Sequence, residues 1–315
     1  MNKIILAPVY NDSQNALKLV KQITLDYPQF FNEIVLVDDG SDNPLQESFI
    51  SSAENFLEQK VKIIRLTSNQ GHQRAIAIGL CYIRDNFDTS DVVVLDSDGE
   101  DGSSQIQSML DIFDNEANVV ATRSKRQENF LFRQGYWCFK FLFYLLTGKN
   151  LNFGNFSLIN YQTVNILVNN ANLWNNYPAT LLRFIPKITR IRLPRQKRFS
   201  GHSSMNLVSF VQHGLGAISV FLDRVLIRIL FALFIMFSSL SIFMIAGFVL
   251  YLTSVLDLTL FHLGFAGLAF LTVLNICILA LFSLVIFLAN RSTRQEPPIL
   301  FYKSLISHVE LLGKN

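Results

Sequence analysis

The chain is short of charge, short of cysteine and, over one long stretch, empty of acid. Of its 315 residues 16% are charged and 50% hydrophobic, against about a quarter charged in ordinary soluble domains. The shortage is concentrated. From Ile229 to Leu256 no residue is ionised, and from Leu258 to Asn290 the only titratable side chains are His262 and Cys277. A bilayer core of roughly 30 Å needs about 20 apolar residues in a helix. Each stretch therefore suffices for a membrane span, the competing reading being two buried helices of a large soluble core.

Three scattered cysteines, Cys81, Cys138 and Cys277, exclude a disulfide framework and a cysteine metal site, and fit a reducing compartment. The first apolar run, Ile4 to Val9, is too short for a signal peptide and leads into a polar helical pattern rather than a cleavage site. No glycine-rich dinucleotide fingerprint follows that run, which disfavours a nicotinamide oxidoreductase. Gly148-Lys149 lacks the upstream glycine and is followed by Asn150, which excludes a P-loop. Neither an internal repeat nor a low-complexity tract is present.

Residues 129–222 contain ten bases and no acid, whereas residues 1–128 hold 20 acids against 11 bases. An acidic first half suits metal and diphosphate chemistry. The basic second half suits anionic lipid headgroups or a phosphorylated acceptor, and nucleic acid is not an expected partner. Arg224 and Arg228 precede the first apolar stretch, Arg291 and Arg294 follow the second, and the loop around Asp257 has no base. That asymmetry predicts both termini in the cytoplasm, with a short external hairpin.

Short Val- and Ile-rich runs (Ile4–Tyr10, Glu33–Asp38, Val61–Leu66, Asp91–Asp96 and Val119–Thr122) alternate with amphipathic segments such as Ala16–Leu25, Ala75–Phe87 and Gln105–Phe113. Strand–helix alternation predicts an α/β domain with a parallel sheet, and ligands beyond the carboxyl ends of its strands. Trp137–Leu146 and Met205–Val225 are more apolar than surface helices should be; core-facing and membrane-interfacial helices both fit. The expected organisation is a cytoplasmic domain over 1–200, including an aromatic helix over about 130–147, then a juxtamembrane amphipathic segment over 201–228, two spans over 229–290, and a cytoplasmic tail over 291–315.

The unusual residues fall where the strands end. Pro8, Tyr10, Asn11 and Asp12 can wall a base pocket. Asp38 and Asp39, before Gly40-Ser41, can accept hydrogen bonds from a nucleobase N–H and ribose hydroxyls, although an N-capped turn would look alike. Asp96 and Asp98 are alternate residues of an extended chain and can share a divalent cation, Mg²⁺ or Mn²⁺, completed by diphosphate and water. An EF-hand is not expected, because the twelfth loop position is Gln107. Ser68-Asn69-Gln70-Gly71-His72-Gln73-Arg74-Ala75 enters a helix after the third strand, and its polar side chains and helix N-terminus can hold an anion or a sugar hydroxyl.

Together these residues resemble the family 2 glycosyltransferases of GT-A fold. Pro8, Tyr10, Asn11 and Asp12 match that family's first turn, Asp38 to Ser41 its Asp-Asp-Gly-Ser, and Asn69, Gly71 and Ala75 its Asn-x-Gly-x-x-x-Ala. Asp96 and Asp98 match its metal motif, and Asp101 its further acid. The later region resembles the polyprenyl-phosphate branch, with two C-terminal spans. There Arg123 follows strand five, Gly154-Asn155-Phe156-Ser157-Leu158 stands for a Gly-Asp/Asn-Phe-x-Leu strand, and Arg198 to Ser204 for an Arg-x-x-Gly-x-Ser-Lys run. Three departures stand out: Asn155 for a frequent aspartate, Ser204 for lysine, and Gly99-Glu100-Asp101-Gly102 in place of Leu-Gln-Asp-Pro.

The resemblance implies a nucleotide-sugar donor bound by the loop residues and catalysis by Asp96, Asp98, Asp101 and Arg123. It implies a lipid-phosphate acceptor at Asn155, Arg195, Lys197, Arg198 and Ser203, and the cytoplasmic membrane as location; it leaves a homo-oligomer open. A processive synthase is disfavoured, since neither Trp137 nor Trp174 has a Gln-x-x-Arg-Trp context. A hydroxyl acceptor, with Asp101 as base, and a silent nucleotide- or lipid-binding scaffold are the alternatives.

Overall fold

The computed structural model describes residues 2–28, 30–45, 47, 49, 60–114, 117–123, 130–194, 196–200, 207–253, 260–292 and 296–312. They divide into two compact units, one of Met1–Tyr144, Lys149–Val220 and Glu296–Asn315, the other of Leu145–Gly148 and Phe221–Gln295.

The first unit opens as anticipated: β1 (Lys3–Val9), α1 (Ser13–Asp26), β2 (Glu33–Asp38), β3 (Lys60–Leu66), α2 (His72–Asn86), β4 (Asp91–Val94), α3 (Ser103–Leu110) and β5 (Asn118–Arg123). β2 is buried along its whole length, as a strand covered on both faces must be, so it reads as a continuous apolar run rather than an alternating one. The helices cover those faces. In α1 the buried Ala16, Leu19, Val20 and Ile23 recur at helical spacing. Then follow α4 (Phe130–Thr147), β6 (Phe153–Ile159), α5 (Tyr161–Val168), α6 (Tyr177–Phe184), β7 (Ile188–Leu193) and α7 (Leu207–Ser219).

The second unit is a helical pair, α8 (Leu222–Leu252) and α9 (Leu260–Ser292). After it come a short α10 (Pro298–Phe301) and β8 (Ile306–Leu312), back in the first unit.

The eight strands run in the order β7-β5-β6-β4-β1-β2-β3-β8. The sheet is mixed rather than parallel: β6 is antiparallel to both β4 and β5, and β8 is antiparallel to β3. Periodicity reports that a strand is buried and is silent on its direction. The inverted β6 has a consequence for the site, because its beginning lies beside the ends of its neighbours. The last segment is likewise no free tail. Ile306–Leu312 pairs with Val61–Leu66 and covers what would otherwise be an open sheet edge.

Met205–Val225 is not one helix: α7 stops at Ser219 and α8 starts at Leu222. Phe139 of α4 packs against Phe210 of α7, while Trp137, Phe141 and Tyr144 of α4 and Val208, Val211 and Leu215 of α7 face outward. α8 and the Gly264–Leu284 part of α9 are long and apolar enough to cross a membrane, with mean hydropathies of 2.5 and 2.4. None of either apolar window is buried inside the protein, which argues against helices of a soluble core. The loop around Asp257 lies outside the described residues.

Candidate active site

Three loops at the carboxyl ends of β1, β2 and β3 are tied together by hydrogen bonds. Asn11, at a φ of 50°, donates its backbone N–H to Ser41 Oγ at 2.9 Å. Its side-chain amide donates to Asp42 Oδ2 and accepts from the Asp42 N–H. Asp39 Oδ1 accepts from the Gln70 N–H at 2.7 Å and Oδ2 from the Gly71 N–H at 2.9 Å. Gly40 stands at a φ of +70°, and a Cβ there would lie 2.7 Å from the Asn69 backbone nitrogen. Only glycine permits that closeness and that dihedral together.

Asp38 is different from what a nucleotide contact requires. It is 0% exposed. Its Oδ1 accepts from the Ser41 N–H, and its Oδ2 accepts from the Leu45 N–H and from Arg65 Nη1 at 2.8 Å. Arg65 goes on to donate to the Ser41 carbonyl. Asp38 braces the loop from below rather than facing a ligand. Pro8 is buried in β1, whereas Tyr10 is 49% exposed at its end, with Asp12 and Asn69 alongside it at the loop surfaces. Burial, reinforced by neighbouring Asp38, pushes the Asp39 carboxyl up to about 6 against the pull of its two amide donors.

The Asp96-Ser97-Asp98 segment follows β4. By the antiparallel register, in which Val94 faces Ser157, position 96 faces position 155. Asn155 Nδ2 accordingly donates to Asp96 Oδ1 at 3.0 Å. Asp98 Oδ1 accepts from the Glu100 N–H, and its Oδ2 pairs with Arg198 Nη2 at 2.6 Å. Residues 196–199 run alongside this loop, with the Gln196 N–H on the Glu100 carbonyl and the Phe199 N–H on the Asp98 carbonyl. The Phe199 ring lies so close over Gly99, whose φ is +82°, that a Cβ there would sit 2.3 Å from it. Asp101 is buried and lines a small cleft with Gln105, Ala121, Gly154, Phe156, Leu193 and Pro194.

The structure therefore brings together Asp96, Asp98, Asn155 and Arg198, and separately Tyr10, Asn11, Asp39, Asn69 and Gly71. Lys197 is exposed beside Arg198. Arg123 closes β5; its side chain, with Arg195 and Ser203, lies outside what is described. Gln73 stood in the Ser68–Ala75 motif with no role of its own, and His213 escaped sequence reasoning. Gln73 sits between α6 and Asn155, and His213 of α7 puts its ring 5.3 Å from that of His72. Burial first and His72 second push the His213 imidazole down to about 4, with Asp96 pulling it upward. A lone histidine in an apolar helix carries no signal for such a neighbour.

Among the described residues no group of three or more His, Cys, Asp or Glu side chains could hold a metal ion. Two hard carboxylates fit Mg²⁺ or Mn²⁺ with a substrate diphosphate as the remaining donor set. Asp96 is the more open of the two, since the protein holds both oxygens of Asp98.

Residues 4–175, more than half the chain, match the model of Glycosyl transferase family 2. The chain belongs to glycosyl transferase family 2. It is 28% identical over 137 residues to an undecaprenyl-phosphate 4-deoxy-4-formamido-L-arabinose transferase of Photorhabdus laumondii, covering 41% of this chain and 39% of that protein. It is 25% identical over 223 residues to an uncharacterized glycosyltransferase of Synechocystis sp., covering 64% of each. The chain thus spans less than two thirds of the length of these relatives.

Among solved structures, glucosyl-3-phosphoglycerate synthase from Mycobacterium tuberculosis, in complex with Mn²⁺, UDP-glucose and phosphoglyceric acid, superposes with a TM-score of 0.51. It has 13% identity and covers 71% of this chain and 79% of that one. Mannosyl-3-phosphoglycerate synthase from Rubrobacter xylanophilus gives 0.50 at 12% identity, covering 71% and 74%. At that identity the likeness is one of fold.

Proposed function

We propose that the protein is an inverting glycosyltransferase that moves a hexose from a nucleotide sugar, a UDP-hexose, to a polyprenyl phosphate at the cytoplasmic face of the membrane. The observation that carries this reading is Asn155. Where an acid would stand as a base beside Asp96, the chain has an amide whose two polar atoms are both engaged. A hydroxyl acceptor needs a base. A phosphate monoester is already ionised near neutral pH and attacks the anomeric carbon without one. The likeness to proteins named undecaprenyl-phosphate transferases supports the same acceptor.

The donor lies against the braced loops. Tyr10 offers a face to the base, Asp39 an acceptor, and the first turn of α2 the N–H groups that have no partner within the helix. Asp96 and Asp98 would hold Mg²⁺ or Mn²⁺, the second being the ion named with UDP-glucose for the solved neighbour, and once bound it would supply positive charge against the departing diphosphate. Arg198, with Lys197, meets the acceptor phosphate, to which a guanidinium offers paired donors. The outward aromatic residues of α4 and apolar residues of α7 support contact with lipid. The pairing of β8 with β3 supports a hairpin: residues on both sides of the two long helices then lie on the same side of the membrane, which requires an even number of crossings.

One experiment tests the whole reading. Purified protein is given polyprenyl phosphate with each of UDP-glucose, UDP-galactose, UDP-N-acetylglucosamine and GDP-mannose, and the lipid is read by mass spectrometry. A glycosyl phosphate lipid from one UDP-sugar is expected. Transfer to a neutral lipid alcohol and not to the phosphate would shift the reading to a base-assisted reaction at Asp101, whose cleft could admit a hydroxyl.

A further inference from the structure

The group that faces Asp96 is itself held from behind. Tyr177 is the first residue of α6, so its backbone N–H is one of the helix donors with no partner inside the helix. It donates to Gln73 Oε1 at 2.6 Å. Gln73 Nε2 then donates to Asn155 Oδ1 at 2.9 Å, and Asn155 Nδ2 to Asp96 Oδ1 at 3.0 Å. A second line returns to the same tyrosine: its hydroxyl lies 2.6 Å from Ser157 Oγ, which donates to the Asn155 carbonyl at 2.9 Å.

Each step leaves the next no choice. A backbone N–H can only donate, so the glutamine must turn its oxygen to Tyr177 and its nitrogen to Asn155. The asparagine must then turn its nitrogen to Asp96. The usual ambiguity of an amide is removed by the backbone donor at the head of the line. All four members are secluded: Tyr177 and Ser157 are 0% exposed, and Gln73 and Asn155 are each 8% exposed. A buried polar line satisfied at each of these positions is rigid, because any flip leaves two groups unpaired.

We propose that Gln73 and Asn155 are positioning residues for the cation site, aiming the carboxylate of Asp96 by occupying its Oδ1 and leaving Oδ2 for the ion. The cation itself rests on the function proposed above. An aspartate at 155 could still accept from Gln73, but in its ionised form it offers Asp96 no donor and a like charge. The asparagine is thus the residue that the rest of the line requires.

The test is Mn²⁺ binding to the full-length protein in detergent with UDP present, followed by the electron paramagnetic resonance signal of free Mn²⁺, alongside thermal unfolding. Gln73→Glu keeps the volume and the bond from Tyr177 while removing the donor to Asn155. It should weaken Mn²⁺ at least about tenfold, the range seen when groups that orient metal ligands are changed. Asn118→Asp is the matched control. Asn118 is another buried amide, at the start of β5 and the opposite end of the strands, where it accepts from the Asn160 N–H. It should lower the unfolding temperature without moving Mn²⁺ affinity. Asn155→Ala, read in the same way, decides the matter if Gln73→Glu does not fold.

Wild-type affinity in a folded Gln73→Glu protein would overturn the proposal. So would equal loss in Gln73→Glu and Asn118→Asp in step with their unfolding temperatures. If the wild type binds no Mn²⁺, the positioning role falls with the cation, and sugar transfer in EDTA then shows separately whether the glycosyltransferase reading survives.

Discussion

At the ends of β2 and β3, Asp38 and Asp39 are held mainly by backbone N–H groups: Ser41 and Leu45 for one, Gln70 and Gly71 for the other. At the end of β4 the partners of Asp96 Oδ1 and Asp98 Oδ2 are side chains from distant segments, Asn155 and Arg198, and only Asp98 Oδ1 takes a backbone N–H, that of Glu100. Backbone donors belong to the loop itself and cannot leave without unmaking it. Of the two, the part-exposed Arg198 can exchange for a ligand at modest cost, whereas Asn155 is locked in place and leaves Oδ2 of Asp96 open. The loops after β2 and β3 are therefore built in advance, whereas the carboxylates after β4 keep oxygens that a ligand can reach: Oδ2 of Asp96, and Oδ2 of Asp98 once Arg198 is exchanged.

The largest effect expected from this contrast is at the replaceable end. Asp96→Asn should lower sugar transfer by about 10³-fold, as expected for removing a group that stabilises developing charge, with little change in unfolding temperature. Full wild-type transfer in EDTA would remove the role given to this carboxylate.

The built-in end should respond in stability instead. Asp38→Ala strands Arg65 and two backbone N–H groups. It should destabilise the first unit by about 3 kcal/mol, the lower end for breaking a buried ion pair, measured by denaturant unfolding. A stable Asp38→Ala protein that merely binds UDP less well would break the comparison and restore Asp38 to the ligand.

A smaller effect follows from Asp39. Its carboxyl titrates at about 6, and only the ionised form accepts freely from a base N–H. UDP affinity should hold above that pH and fall by up to about tenfold per unit below it. Because the UDP phosphate titrates in the same range, the diagnostic quantity is the difference from Asp39→Asn, which should lack this limb. Identical pH profiles would place the nucleobase elsewhere.

The smallest effect should have two signs. Arg198 is part-exposed and paired to Asp98 at 2.6 Å, so Arg198→Gln should tighten Mn²⁺ up to about fivefold, the size of a solvent-accessible ion pair, while raising the acceptor KM and sparing the donor KM. Parallel weakening of both would mean that Arg198 only supports the loop.

Much of this was legible in the residues. Val- and Ile-rich runs placed β1 to β5 to within a few residues, because burial on both faces demands apolar side chains throughout. Asp-Asp-Gly-Ser and Asp-Ser-Asp were found because short polar residues after a buried run have few other reasons to be there. Gln73 was legible only as one polar residue of the Ser68–Ala75 motif: what a glutamine in the first turn of a helix binds stays open until the helix that faces it is known. His213 was hidden for the same reason.

The sequence by itself determined which segments are strands, which stretches have the composition of lipid-facing helices, and which loops carry carboxylates, since each follows from local periodicity and burial. Only the tertiary structure decided which partners each carboxylate takes. It inverted β6 and so set Asn155 opposite Asp96, drew Arg198 across 100 residues onto Asp98, spent Asp38 on Arg65, and returned the last segment to the sheet as β8. Strand direction and register depend on contacts between residues far apart in the chain, and no local pattern records them.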